Sequence, residues 1–203
     1  MARVDSLIAW IPRRFRSTTR EQWDVEYTCG EWDYLRSVGE LARYSVIAGY
    51  CRHHKRQGSI CDVGCGEGIL ERALRPAYRR YLGIDVSEAA IRRARDSERP
   101  ASASFECADA LVFDTAEHFD VIVFNESLYY FPQPNAVLHR YEKYLNSEGV
   151  FVVSNVIRRR SRAARLGIRI AWVALDHTYL RNAAGARWEV AMLGRPDRSG
   201  CTH

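Results

Sequence analysis

The stretch Ser59 to Arg72, SICDVGCGEGILER, constrains this chain more than any other part of it. Ile60, Cys61 and Val63 suit a buried strand, and Asp62 interrupts that run just before the alternating glycines Gly64, Gly66 and Gly68. Ile69, Leu70, Ala73 and Leu74 then recur at helical spacing, so the segment reads strand, glycine loop, helix. Such a turn removes side chains where a ligand must approach the backbone, and it aims the free N–H groups of a helix start at whatever sits there. Two common nucleotide cradles do not fit. A dinucleotide fingerprint needs its third glycine three positions after the second, where this chain has Ile69, and a P-loop needs Gly-Lys-Ser/Thr, which the stretch lacks.

The rest of the chain supplies more strand ends. Tyr81, Leu82, Gly83 and Ile84 make a second strand ending at Asp85, and Ser87 caps a helix through Ala89, Ala90, Ile91 and Ala94. Asp85 falls 17 residues beyond Gly68, close to the usual interval of about 20 for an acid on ribose hydroxyls. Ala103 to Cys107 reads as a third strand, and Phe119 to Phe124 as the most hydrophobic, at the sheet centre. Its end, Asn125 to Tyr130, then projects from the edge where ligands bind in open α/β sheets. A helix over 133–145, a strand over 150–154, and two strand-like segments over 174–180 and 187–193 complete the reading. Upstream, GELARYSVIAGYCRHH reads as a helix with Leu41, Tyr44, Val46, Ile47 and Tyr50 on one packed face.

With 203 residues, 47% of them apolar and 27% charged, one soluble domain with a good core is expected. No apolar run approaches the roughly 20 residues that cross a bilayer, and the N-terminus lacks the pattern of a cleaved signal. Six cysteines without a CxxC unit point to reduced thiols in a cytosolic protein, with no disulfide frame or zinc site. Residues 1–20 carry five arginines against one aspartate, and residues 156–170 carry six arginines and no acid, so the remainder of this +5 chain is mildly acidic. These basic segments suit an anionic substrate, an acidic membrane surface or RNA, or simply solvated charge. In the first of them, Leu7, Ile8, Trp10, Ile11 and Phe15 stand beside Arg13, Arg14 and Arg16. That leaves three readings open: a helix on a membrane surface, a frayed extension, or a flap over the domain. The expected organisation is a basic extension (1–20), a domain (21–195) with a helical lid at 21–56, and a short tail (196–203).

DVGCGEG resembles the first motif of class I methyltransferases, which use S-adenosylmethionine, and GIDVSEAAIRRAR resembles their second. The resemblance covers about residues 20–195. It implies an α/β, Rossmann-like fold: a seven-stranded, mostly parallel sheet with helices on both faces and a C-terminal antiparallel hairpin. It also implies that Gly64, Gly66 and Gly68 pack on the methionine part of the cofactor while Asp62 helps to hold its ammonium. Asp85 and Val86 then fall at the ribose, Asp109 and the Ala110 N–H at the adenine, and Asn125 at the end of the central strand. The segment EWDYLRSVGELARY is similar to the region before the domain in NodS-like small-molecule N-methyltransferases. On that likeness Trp32 and Tyr34 cover the sulfonium, a sensible neighbour for aromatic faces, or close the pocket, and Arg43 meets the cofactor carboxylate.

The acceptor is constrained mainly by what is missing. Methylases of base amino groups show Asp/Asn-Pro-Pro-aromatic where this chain has Asn125-Glu126-Ser127-Leu128, and pyrimidine carbon methylation would need a Pro-Cys unit. No catechol-type cluster of metal-binding carboxylates stands out, so no metal is expected. A small polar metabolite methylated on an amine or hydroxyl is left, an anionic or saccharide acceptor among the options. NESLYY resembles the strand end of NodS-like enzymes, which act on amino sugars of chitooligosaccharides. Glu126 is then expected to orient or deprotonate the acceptor, with Tyr129 and Tyr130 lining its pocket and His177 a second candidate base. Two other readings stay open: an RNA or protein methyltransferase using Arg158 to Arg169 as an electrostatic track, and a cofactor-binding module without turnover.

Overall fold

Strand β1 (Gly58–Val63) is buried along its whole length, as a strand covered on both faces must be. The computed structural model describes residues 19–158, 161–162, 167–168 and 171–195. The expectations placed on residues 1–18, on much of the arginine-rich stretch and on the tail from 196 lie outside the described residues. Ahead of β1 come helix α1 (Arg20–Thr28), a 3-10 turn (Asp33–Arg36) and helix α2 (Val38–His54). After it the chain runs through α3 (Ile69–Leu74), β2 (Tyr78–Asp85), α4 (Glu88–Asp96), β3 (Ala103–Cys107) and β4 (Phe119–Asn125). A 3-10 turn (Leu128–Tyr130), α5 (Pro134–Glu142), β5 (Leu145–Val156), β6 (Val173–Arg181) and β7 (Arg187–Gly194) follow.

The strands form one seven-stranded sheet in the order β3-β2-β1-β4-β5-β7-β6. Pairings from β3 to β5 are parallel, and β7 runs antiparallel to both β5 and β6. The last two strands are therefore the expected hairpin, folded so that its second strand lies inside and β6 forms the edge. Side chains alternate between two cores, as a period of two requires. Ile60, Tyr81, Val121 and Val152 meet Ile47 of α2, Leu70 of α3 and Ile91 of α4 on one face. Cys61, Leu82, Ile122 and Val153 meet Val137, Leu138 and Tyr141 of α5 on the other.

Local signals set the helix ends. Thr19 and Gln22 form a reciprocal capping box on α1, and the Ser87 hydroxyl accepts from the Ala90 N–H at 3.1 Å on α4. Helix α2 differs from the expected face. Leu41 is 55% exposed, and the buried stripe runs through Glu40, Arg43, Tyr44, Ile47, Ala48 and Cys51. Tyr44 and Ile47 of the expected face are buried and Val46 and Tyr50 pack against the core, while Leu41 is displaced by Glu40 and Arg43, which satisfy each other inside the protein.

Candidate active site

At the end of β1 the chain turns through Gly64, Gly66 and Gly68 with φ of 78°, 53° and 69°, a region that L side chains rarely enter. Space is short as well. A Cβ on Gly64 would stand 2.6 Å from Ser127 Cβ, one on Gly66 would stand 2.6 Å from the Tyr27 hydroxyl, and one on Gly68 would meet the Phe105 ring at 2.6 Å. The glycines thus admit neighbouring protein groups and leave bare backbone at the strand end. The Gly66 N–H donates to Asp85 at 2.8 Å, and the Ser87 N–H donates to the other oxygen of the same carboxylate at 2.9 Å. Asp85 therefore joins the ends of β1 and β2.

Asp62, one residue before Val63, is buried. One of its oxygens accepts from the Tyr81 hydroxyl at 2.6 Å, and the other, Oδ1, has no hydrogen-bond partner among the described residues. Burial, with Asp85 nearby, pushes its pKa to about 7, opposed by the Tyr81 hydrogen bond and the Arg43 charge. The unpartnered oxygen leaves a buried acceptor that a cationic donor would satisfy.

Helix α1 lies across the strand ends. Arg20 donates to the Val86 carbonyl at 2.9 Å and to Cys107 Sγ at 3.1 Å. Asp24 accepts from the Ser87 hydroxyl at 2.6 Å and the Ala89 N–H at 3.0 Å. Tyr27 covers Gly66, and Trp23 meets Tyr130, beyond β4, edge-on at 5.0 Å. Trp32 packs on Trp23, Tyr27 and Tyr34 at 5.6, 5.9 and 6.1 Å between ring centres. The result is an aromatic roof over the glycine loop, with Tyr34 and Tyr130 partly open to solvent at 41% and 38%. Tyr27 was not singled out as a site residue by the sequence, because its role depends on where α1 docks.

Beneath the roof, Arg43 of α2 is fully buried. It donates to Glu40 at 2.7 and 3.2 Å, to the Tyr44 hydroxyl at 3.4 Å and to the side-chain oxygen of Asn125. Arg43 and Asn125, expected separately at the cofactor, are thus tied to each other. Glu126 follows in a left-handed conformation, φ 60°, which is uncommon outside glycine and marks positions held by their surroundings. Its oxygens accept from the Ser154 hydroxyl at 2.9 Å, the Tyr129 hydroxyl at 3.1 Å and the Val156 N–H at 3.1 Å. Burial raises the Glu126 pKa, and the Arg43 charge and these donors oppose the rise.

Asp109 and Ala110 follow the end of β3, where the preceding Ala108 N–H donates to the Asp85 carbonyl at 2.9 Å, and His177 lies on the far edge of the sheet. Asp109 is exposed after β3, one oxygen accepting from the Leu111 N–H at 2.8 Å, while the Ala110 carbonyl accepts from Tyr141 at 3.1 Å. His177 is exposed on the edge strand β6, opposite Ala191 and edge-on to Tyr179. It borders a depression with Val153, Asn155 and Glu189, on the α5 side of the sheet. Ser154 and Glu126 lie on the α2 side, so the structure does not bring His177 together with Glu126.

An S-adenosyl group fits these residues on two structural grounds. Asp62 offers an unsatisfied buried oxygen for an ammonium, and the Gly64–Gly68 turn presents backbone without side chains at the strand end, packed against Ser127, Tyr27 and Phe105. A strand-end cradle of this kind, under an aromatic roof and on a sheet with a terminal antiparallel hairpin, defines a class I methyltransferase domain. The comparisons agree. Residues 34–191 match the family described as methyltransferase domain, and the chain belongs to that family, whose cofactor is S-adenosylmethionine.

Among its relatives is a ubiquinone biosynthesis O-methyltransferase of Pseudomonas fluorescens (strain SBW25), 31% identical over 149 residues, covering 71% of this chain and 62% of that protein. Another is nodulation protein S of Bradyrhizobium diazoefficiens, 33% identical over 100 residues, covering 49% of this chain and 48% of that one. The chain therefore spans less than two thirds of the length of these curated relatives. Its fold is similar to that of the N-methyltransferase NodS from Bradyrhizobium japonicum WM9 with S-adenosyl-L-homocysteine, with TM-score 0.77 and 22% identity, covering 89% of this chain and 100% of that one.

The burial of Asp62 has a consequence for stability. Its pKa of about 7 lies above the ordinary 3.8, so the ligand-free folded chain keeps a proton that the unfolded chain releases. That contribution is full below about pH 4 and is lost as pH rises through about 7. Asp62→Asn cannot titrate. Its Tm without ligand should gain on the wild type as pH rises through this window, and a pH-independent difference would place the Asp62 pKa elsewhere.

Proposed function

We propose that this chain transfers a methyl group from S-adenosylmethionine to the amine of a small polar acceptor, an amino sugar fitting best. Bound S-adenosylmethionine supplies an activated methyl, because its positive sulfur is a good leaving group. The chain's own residues hold, align and exclude water. In this reading Asp62 holds the ammonium, Arg43 faces the carboxylate, and Gly64, Gly66 and Gly68 carry the chain between them. Asp85 and Val86 serve the ribose, Asp109 and Ala110 the adenine, and Trp32 and Tyr34 shield the sulfonium. Glu126 accepts a hydrogen bond from the acceptor nitrogen and takes its proton, so that a nitrogen–carbon bond forms as the carbon–sulfur bond breaks. Tyr129 fixes Glu126, and Tyr130 and Tyr34 offer exposed ring faces to a sugar.

The observation that carries this reading is Glu126 itself. It is a half-buried acid with a raised pKa, fixed by three donors at the end of the central strand, beside the aromatic roof. His177, exposed on the far edge, has less support as the base. A hydroxyl acceptor is the second reading, favoured by the likeness to relatives named as O-methyltransferases. Incubation with labelled S-adenosylmethionine and matched amino sugars, simple amines and phenols, followed by mass spectrometry, separates the two. Label on nitrogen is expected, and label on phenols alone would sink the amine reading.

A further inference from the structure

The glycine loop contains one charged side chain, Glu67, between Gly66 and Gly68. Its side chain is only 5% exposed, and two arginines from different elements converge on it. Arg93 of α4 donates to one oxygen at 2.6 Å, and Arg36 of the Asp33–Arg36 turn donates to the other. Arg36 also reaches Asp33 at 3.3 Å, and Arg93 also reaches the Thr28 carbonyl at the end of α1 at 3.4 Å. The turn that Arg36 closes starts directly after Trp32 and contains Tyr34. One buried carboxylate therefore ties the cradle to both segments of the roof.

We propose that Glu67 is a positioning residue, a latch that fastens the Trp32–Tyr34 turn over the bound cofactor through Arg36. This rests on the S-adenosyl reading of the cradle and adds the means by which the roof stays closed. The latch is separable from the fold. Arg99 holds the loop backbone independently, donating to the Glu67 and Gly68 carbonyls at 2.8 Å each. Removing Arg36 leaves Glu67 paired with Arg93, so no buried charge is orphaned. Arg36 is itself 47% exposed along its side chain, so its loss releases the turn without opening the core.

The test uses the full chain, S-adenosylhomocysteine as the probe, calorimetry for affinity and stopped-flow tryptophan fluorescence for release. Arg36→Leu should raise Kd about tenfold, mainly through faster release, in line with one charge-assisted hydrogen bond discounted for exposure. Its Tm, and kcat at saturating cofactor, should stay near wild type. Arg36→Lys should recover part of the loss. Glu67→Gln should weaken binding at least as much, and adding Arg36→Leu to it should change little, because both act through one contact. Wild-type affinity and release in Arg36→Leu, or strictly additive losses in the double variant, would overturn the latch while leaving the cofactor site intact. A wild-type chain that binds no S-adenosylhomocysteine would defeat the cradle reading and the latch together.

Discussion

Gly66→Ala is expected to weaken binding of S-adenosylhomocysteine by up to about a hundredfold, because relieving an overpacked methyl, at about 1–3 kcal/mol, moves the loop or α1 away from the geometry that receives the ligand. The residue stands at φ 53°. Its added Cβ would lie 2.6 Å from the Tyr27 hydroxyl, so either α1 lifts or the loop turns. If the loop turns, the 2.8 Å bond from the Gly66 N–H to Asp85 breaks, and with it the join between the ends of β1 and β2. Gly185 provides the control. It also has positive φ, 82°, but a Cβ there meets nothing within 4 Å, so Gly185→Ala should lower Tm slightly and leave affinity unchanged. Calorimetry on both variants separates loss of the cradle from general backbone strain. Equal affinity in Gly66→Ala and the wild type would mean that the ligand does not approach this loop.

Glu126→Gln should lower kcat about a hundredfold, the lower end of what a positioned proton acceptor contributes, while cofactor affinity changes little. Glutamine keeps the length of the side chain, but its amide nitrogen cannot accept from the Val156 N–H or take a proton. The pH profile gives a second readout. Burial raises the Glu126 pKa, and the base must be ionised to act, so the wild-type rate should rise with pH through that raised pKa. The variant should lose this limb. A wild-type rate and profile in Glu126→Gln would remove Glu126 from the chemistry and return attention to His177.

Much of the fold was legible because it is written locally. Residues 59–74 carry a buried apolar run, spaced glycines and a helical repeat, and they fold as β1 (Gly58–Val63), the positive-φ turn and α3 (Ile69–Leu74). Ser87 announced the start of α4 by its own chemistry. The order of the last strands was less clear, although a signal existed. WEVAML in β7 is nearly continuous in apolar character and takes the inside position, whereas the mixed segment ALDHTYL in β6 forms the exposed edge. Helix α2 was misjudged at Leu41, because hydrophobic periodicity cannot reveal that Glu40 and Arg43 are buried as a mutual pair. The parts of the site that escaped notice, Tyr27 over Gly66 and Glu67 between two arginines, are contacts between segments distant in sequence. Both residues looked ordinary until α1 and the Asp33–Arg36 turn were docked on the loop.

The central claim is that the cradle at the ends of β1 and β2 binds an S-adenosyl nucleoside through Asp62 and Asp85. The wild-type arm of the calorimetric titration tests it most directly, run against S-adenosylhomocysteine and, in parallel, a nicotinamide dinucleotide. Saturable heat at one site with the first and none with the second is the predicted result. Heat with the dinucleotide alone would contradict the account at its root.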